Sequence, residues 1–231
     1  MRVIAYDNST ISVNSCLTID IKYNVGRTIP REVGLEVKMS HTREANNLKN
    51  IILRPFEKEV IIGCLIGDGS LEKSGKLYRL RIGHTVRHSS YVLWKYLLLQ
   101  RICLTGPQYV PKTVSLRFGT VGHSELSEIR CKWYIKGIKN IPNGFKLTPL
   151  MIAIWFMDDG CSRGKTVDFS VHCFSIRSIN TLRKGLTDFN ISTTINSDGK
   201  GNRLYVRRSS YFNFKELVKP YIQPCMAYKL S

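Results

Sequence analysis

Residues 154–160 read IWFMDDG, and residues 60–69 read VIIGCLIGDG. Each is a run as apolar as a protein core that ends in aspartate and glycine. A helix built from either run sets carboxylates at its C-terminus, against the negative end of the helix dipole. Burying a carboxylate without a partner costs more still. An arrangement this unfavourable, present twice, calls for an explanation.

The flanks support both helices. In RPFEKEVIIGCLIGDG (54–69), Pro55 suits a first helical position, and Glu57 and Glu59 suit a first turn. In LTPLMIAIWFMDDG (147–160), Thr148 is a natural N-cap and Pro149 a natural first residue. Gly69 and Gly160 end the runs, where a left-handed cap is expected. Both helices are apolar nearly all round, so both are expected to be buried.

The segments after the two helices are alike. KLYRLRIGHTVR (76–87) alternates Tyr78, Leu80, Ile82 and His84 on one face with Arg79, Arg81, Gly83 and Thr85 on the other. A helix in SSYVLWKYLLLQRI comes next. KTVSLRF then sets Val114, Leu116 and Phe118 inward and Thr113, Ser115 and Arg117 outward, and SELSEIRCKWYIKG closes the half as a helix. In the second half KTVDFSVHCF sets Val167, Phe169, Val171 and Cys173 inward, and Thr166, Asp168, Ser170 and His172 outward. SIRSINTLRKGLTDF reads as a helix. RLYVRR sets Leu204 and Val206 inward with Arg203, Tyr205 and Arg207 outward, and SYFNFKELVKPYI is the closing helix. The expected fold class is α+β: two pseudo-symmetric α-β-β-α-β-β-α halves, residues 51–146 and 147–231, after an N-terminal extension at 1–50.

The chain has 231 residues, 35 Lys and Arg against 17 Asp and Glu, and a net charge of +18. Residues 1–50 hold 7 basic and 5 acidic side chains, and the remainder hold 28 and 12, so the basic character lies with the two halves. A basic chain that is also 43% hydrophobic points to nucleic acid or an anionic surface as partner. The seven cysteines are scattered, odd in number and without a C-x-x-C, so neither a disulfide framework nor a zinc site is suggested and a reducing compartment is expected. Several sit among apolar residues as core filler. No apolar run has transmembrane length, and the N-terminus lacks a signal-peptide pattern.

IIGCLIGDG (61–69) and IAIWFMDDG (152–160) resemble the two nine-residue motifs of LAGLIDADG homing endonucleases, whose eighth residue is acidic and ninth is glycine, here Asp68–Gly69 and Asp159–Gly160. Together with KNIPNGF (139–145) and KPYIQPCMAYKL (219–230), they resemble the single-chain, two-motif enzymes encoded in organellar group I introns. The resemblance covers residues 50–230. It implies motif helices packed at the interface of the two halves, beneath a saddle-shaped antiparallel sheet surface. It implies site-specific double-strand DNA cleavage across the minor groove, leaving short 3′ overhangs. Asp68 and Asp159 would be catalytic and would bind Mg²⁺, with Mn²⁺ able to substitute. Gly67 and Asp158 are the neighbouring candidate ligands. Lys139 and Lys229 map to the basic residue near each half-site, where an ammonium would polarise a phosphate or order the attacking water.

One departure from the family pattern is structural. Gly63 and Gly67 are small and four apart on the first helix, whereas the second has Ile154 and Asp158 there. The packing should be asymmetric, with the glycines of one helix receiving the bulk of the other. A two-stranded ribbon fits the DNA major groove. The outward sets Arg79, Arg81, Thr85, Ser115, Arg117, Thr166, Ser170, His172, Arg203, Tyr205 and Arg207 are therefore the candidate DNA contacts. The expected partner is double-stranded DNA with a long asymmetric site, bound by a monomer without a membrane, and intron RNA is a further partner. An RNA maturase on the same fold and a non-catalytic DNA-binding module are the alternatives. The expected location is a mitochondrion or chloroplast, or else a microbial cytoplasm. VIAYDNSTISVNSCLTIDIKYNV (3–25) alternates weakly, as an appended β element would, and an upstream fusion or a mobile arm fits equally well.

Overall fold

The computed structural model describes residues 43–162, 164–199 and 201–230. The alternating stretch at 3–25 lies outside them. Two layouts of the same kind succeed one another. The first runs α1 (Pro55–Ile66), β1 (Ser70–Ser74), β2 (Leu77–Thr85), α2 (Ser89–Leu99), β3 (Gln108–Val110), β4 (Ser115–Gly119) and α3 (Ser124–Trp133). A small hairpin, β5 (Tyr134–Ile135) and β6 (Ile138–Lys139), precedes the second. That one runs α4 (Pro149–Asp159), β7 (Gly160–Ser162), β8 (Val167–Ser170), α5 (Ile176–Thr187), β9 (Thr193–Ser197), β10 (Asn202–Val206) and α6 (Tyr211–Val218). Each layout contains a four-stranded antiparallel sheet, ordered β1-β2-β4-β3 in the first and β7-β8-β10-β9 in the second. The expected α-β-β-α-β-β-α order is the observed one.

The two motif helices form the centre. Val60 to Ile66 and Met151 to Met157 are all buried, so both helices are enclosed on every side. Local chemistry starts them as the sequence suggests. The Glu57 carboxylate accepts from the Arg54 amide (2.7 Å) and is gripped by Arg101 at 2.6 and 2.9 Å. Thr148 caps α4 by accepting from the Met151 amide (3.3 Å), and its hydroxyl donates to Glu59 on α1 (2.7 Å). The helices meet as the asymmetry requires. A Cβ on Gly63 would lie 3.0 Å from Ile154 Cβ and 3.2 Å from Met151 Cα, and one on Gly67 would lie 2.5 Å from the Asp158 carboxylate.

Neither motif glycine takes the left-handed cap expected of it. α1 stops at Gly67, and Gly160 is extended at φ −81°. The reason for glycine is space. A Cβ on Gly69 would sit 2.8 Å from the Cys64 carbonyl, and one on Gly160 would sit 2.6 Å from the Phe156 carbonyl and closer still to its ring. The chain turns back so tightly on each helix end that no side chain fits.

The strand faces obey the alternation, with exceptions at the ends. Leu80, Ile82, Leu116, Phe118, Val167, Phe169, Val171, Leu204 and Val206 are core residues. Val114 was expected inward but is 59% exposed, because it comes after a 3-10 turn in the left-handed conformation (φ 46°) before β4 begins. Cys173 is exposed, since β8 ends at Ser170 and the chain turns away. α3 is shorter than the sequence suggests, because Lys136 and Gly137 adopt positive φ and fold residues 134–139 into the hairpin. Of the described cysteines only Cys64 is fully in the core. No described helix is long and apolar enough to cross a membrane.

Gly63→Val would press two branched methyls into Ile154 and the α4 backbone, an overpacking expected to destabilise by about 1–3 kcal/mol. Ile154→Ala removes the opposing bulk. In urea melts the double variant should therefore be more stable than the sum of the two single losses allows. Simple additivity would show that these residues do not oppose one another.

Candidate active site

The C-terminal ends of α1 and α4 lie together, and three lysines converge on them. Lys139, delivered by the β5–β6 hairpin, donates to the Gly67 carbonyl at 2.9 Å. Lys229, in the C-terminal 3-10 segment Pro224–Leu230, donates to the Met157 carbonyl at 2.6 Å and the Asp158 carbonyl at 3.1 Å. Unsatisfied carbonyls and the negative dipole end both favour a cation at a helix C-terminus. Each motif helix thus receives one lysine. Burial pulls the pKa of both lysines down, while the surrounding aspartates oppose it.

The third lysine was not foreseen. Asp158 has a side chain with no exposure at all, and it crosses from α4 into the first half. There its Oδ1 accepts from Lys95 Nζ (2.6 Å) and from the Tyr91 hydroxyl (2.9 Å), and its Oδ2 accepts from the Asp68 amide (3.3 Å). Lys95 is likewise fully buried. Beside it, His84 Nε2 is 3.2 Å from Lys95 Nζ, and His84 Nδ1 is 3.5 Å from the Asp68 carboxylate. Burial, followed by the Lys95 cation, pulls the His84 pKa to about 4, so the ring is neutral at neutral pH.

Asp68 and Asp159 stand differently. Asp68 is 46% exposed, and burial together with the Asp158 charge holds its carboxyl above the ordinary value. Burial, then Asp68, then Asp158 push Asp159 from 3.8 to about 7. Two carboxylates that resist being charged together suit a hard divalent cation, which takes carboxylate and carbonyl oxygens. One ligand atom each from Asp68, His84 and Asp158 lie within 4.8 Å of one another. Asp158, however, is already neutralised by Lys95. The donor chemistry that fits a cation is therefore the Asp68 and Asp159 carboxylates. The Gly67 and Asp158 carbonyls, each also held by a lysine, add only a second lone pair.

A cleft of about 510 Å³ joins this floor to the first sheet, and it is lined by Asp68, His84, Thr85, Ser115, Arg117 and Lys229 among others. A larger cavity of about 660 Å³ lies along α5 against residues 143–146, with none of these carboxylates in its lining. Strand register sets Arg79, Arg81, Thr85, Ser115 and Arg117 on one face of the first sheet. Ser115 is only 6% exposed, because Arg117 lies over it, its Nε donating at 3.0 Å. Arg79 and Arg81 both approach Glu72, at 3.6 and 3.7 Å.

In the second sheet Ser170, Arg203 and Tyr205 share the corresponding face. Asp168, expected outward, is on that face but covered: Arg203 folds over it, its Nε donating at 2.6 Å. His172 lies beyond β8 with its Nδ1 3.4 Å from Ser170 Oγ, and Thr166 is exposed just before the strand. Arg207 is the one brought elsewhere. It comes after β10 and lines a groove with Arg183 and Lys184 of α5, on the helical side.

Comparison with known proteins agrees with this architecture. The LAGLIDADG DNA endonuclease family matches residues 58–214. This chain belongs to that family. It is 33% identical over 222 residues to the cytochrome b mRNA maturase bI2 of Saccharomyces cerevisiae, covering 85% of this chain and 52% of that protein. The chain thus spans about half the length of that relative. The bI2 maturase of Debaryomyces hansenii is 30% identical, with 77% and 76% covered. The DNA endonuclease I-ChuI of Chlamydomonas applanata is 27% identical, with 76% and 94% covered. Among solved structures, the homing endonuclease I-WcaI bound to its DNA recognition sequence superposes with a TM-score of 0.69 at 22% identity, over 78% of this chain and 88% of that one. That likeness shows the shared fold.

Asp159 yields a thermal prediction. Its folded pKa lies above its unfolded value, so the fold loses stability as pH rises from about 4 to about 7, where only the unfolded chain has released the proton. A cation at the site offsets that loss. Mg²⁺ should therefore raise the melting temperature at pH 8 and barely at pH 5. Asp159→Asn should melt higher than wild type at pH 8 without metal, and should lose most of the Mg²⁺ response. An equal Mg²⁺ shift in wild type and variant at pH 8 would remove Asp159 from the cation site.

Proposed function

We propose that this chain is a site-specific, divalent-metal-dependent endonuclease that hydrolyses both strands of a long asymmetric DNA site and so initiates intron homing. The observation that carries the reading is the pair of carboxylates, Asp68 and Asp159. One comes from each half, at the adjacent ends of two buried helices, with polar and basic sheet faces beside them. A bound Mg²⁺ or Mn²⁺ would supply Lewis-acid stabilisation of the phosphoryl oxygens and an activated water. Asp68 and Asp159 would hold it. Lys139 and Lys229 would keep positive charge next to each scissile phosphate while steadying the helix ends. Arg79, Arg81, Thr85 and Arg117 in the first half, and Ser170, Tyr205 and His172 in the second, would meet base edges or phosphates. Arg203, bound to Asp168, would contribute as part of that pair. We assign the protein to an organelle, and to a monomer whose halves stand in for the two subunits of a dimer.

A second reading is favoured by a specific observation. Two of the relatives are named as cytochrome b mRNA maturases. A maturase would use the same basic chain to hold intron RNA, with or without cleavage.

Incubation with Mg²⁺ and a plasmid carrying the intron-less allele of the host gene separates the two. The expected result is one double-strand cut, lost at least about 100-fold in Asp68→Asn and in Asp159→Asn, the order seen when a principal charge-stabilising group is removed. Binding without a cut by wild type, together with promotion of splicing of the intron RNA, would replace the endonuclease reading with the maturase one.

A further inference from the structure

The two half-sites are not chemically alike. Asp68 and Asp159 occupy equivalent motif positions, so Ser70 corresponds to Cys161. Ser70 pairs with Arg81 in the first sheet, and Cys161 pairs with Asp168 in the second. Arg81 therefore corresponds to Asp168, and three residues further on His84 corresponds to Val171. Val171 is a fully buried aliphatic. α5, the counterpart of α2, buries Ser178, Ile179, Leu182, Gly185 and Leu186, with no charged side chain among them. Among the described residues of the second half, His84 and Lys95 thus have no buried equivalents.

The hydrogen-bond geometry fixes what His84 does. An ammonium has donors and no acceptor, so Lys95 Nζ, 3.2 Å from His84 Nε2, makes that nitrogen an acceptor. Lys95 is held as an ammonium by Asp158 at 2.6 Å. His84 Nε2 is 3.7 Å from the Asp158 carboxylate, too far to donate to it. The single ring proton must then sit on Nδ1, which faces the Asp68 carboxylate at 3.5 Å. A chain of contacts runs Asp158–Lys95–His84–Asp68, from a buried ion pair to the more exposed carboxylate of the site. Fixing a ligand's rotamer through an outer partner is a common way of tuning a metal site.

We infer that His84, held in its Nδ1–H tautomer by the Lys95–Asp158 pair, is a positioning residue for Asp68, and that the half-site containing Asp68 is thereby organised differently from the one containing Asp159. The strand-rate consequence rests on the endonuclease reading; the tautomer does not. Without His84, the Asp68 carboxylate loses the imidazole edge that faces it at 3.5 Å while Asp159 keeps its surroundings. One strand is then cut more slowly than the other, and nicked circular DNA accumulates.

Two measurements test this, and they fail independently. Nitrogen NMR of protein labelled in histidine should show His84 protonated on Nδ1 in wild type. An Nε2–H ring would overturn the proposal whether or not the protein cuts DNA. Strand-resolved cleavage of the supercoiled target should show His84→Ala slowing one strand about tenfold and leaving the other within about twofold. His84→Asn, whose amide can set an N–H near the Nδ1 position, should restore most of the lost rate. Equal slowing of both strands by His84→Ala, or no slowing, would overturn the positioning role. If wild type cuts no DNA, the endonuclease reading falls, and Mn²⁺ titration followed by electron paramagnetic resonance takes over. There His84→Ala should weaken ion binding and His84→Asn restore it, and unchanged binding would count against the proposal.

Discussion

Two apolar helices approach one another most closely where one of them gives up its side chains. Gly63 and Gly67 do this on α1, and Ile154 and Asp158 fill the space from α4. Everything chemical about the site depends on that approach. It brings Asp68 and Asp159 to one floor, and it carries Asp158 across into the first half. It also brings two negative dipole ends together, which Lys139 and Lys229 then offset. A wider spacing would admit water between the carboxylates, weakening first the burial and then the repulsion from Asp68 and Asp158 that together hold Asp159 protonated up to about pH 7.

Much of this was legible because period-two and all-round apolar patterns report burial directly. Leu80, Ile82, Leu116, Phe118, Phe169 and Leu204 alternate strictly with polar neighbours, and all are in the core. The complementary bulk of the motif helices could be read from Gly63 and Gly67 against Ile154 and Asp158. Misreadings cluster where alternation meets an element's end. Val114 keeps the pattern one residue before its strand begins, and Cys173 three residues after its strand has stopped. The motif glycines show a different limit. Glycine after a helix signals either a left-handed cap or a close approach, and only the folded chain, with Phe156 and Cys64 pressed against the turn, distinguishes them.

Lys95 was missed although a signal was present. Tyr91, Val92, Lys95 and Leu99 are the buried residues of α2, so a lysine stands on an apolar stripe at helical spacing. That pattern says the lysine has a buried partner. It cannot say which one, because Asp158 lies 63 residues away in the other half. Lys58 of α1, by contrast, is a partly exposed lysine paired with Glu125 at 2.5 Å, the ordinary surface case. Asp168 illustrates the same limit in a strand: its place in the alternation is outward as expected, but Arg203 from a non-adjacent segment covers it.

A buried ion pair is not in itself a source of stability, since desolvating two charges can exceed what their attraction returns. Lys95 and Asp158 therefore call for a reason beyond holding the halves together, a task the apolar faces of α1 and α4 already perform. An aliphatic pair of similar volume would pack as well, but it would leave the Asp68 amide without its acceptor and His84 Nε2 without its donor. The first loss frees the backbone at Asp68. The second frees the imidazole to place its proton on either nitrogen. The ion pair is thus better understood as a means of fixing geometry at Asp68, and its charges balance internally. That leaves Asp68 and Asp159 as the carboxylates of the floor for which no lysine is already spent on the carboxylate itself, and a divalent cation is the charge that matches them.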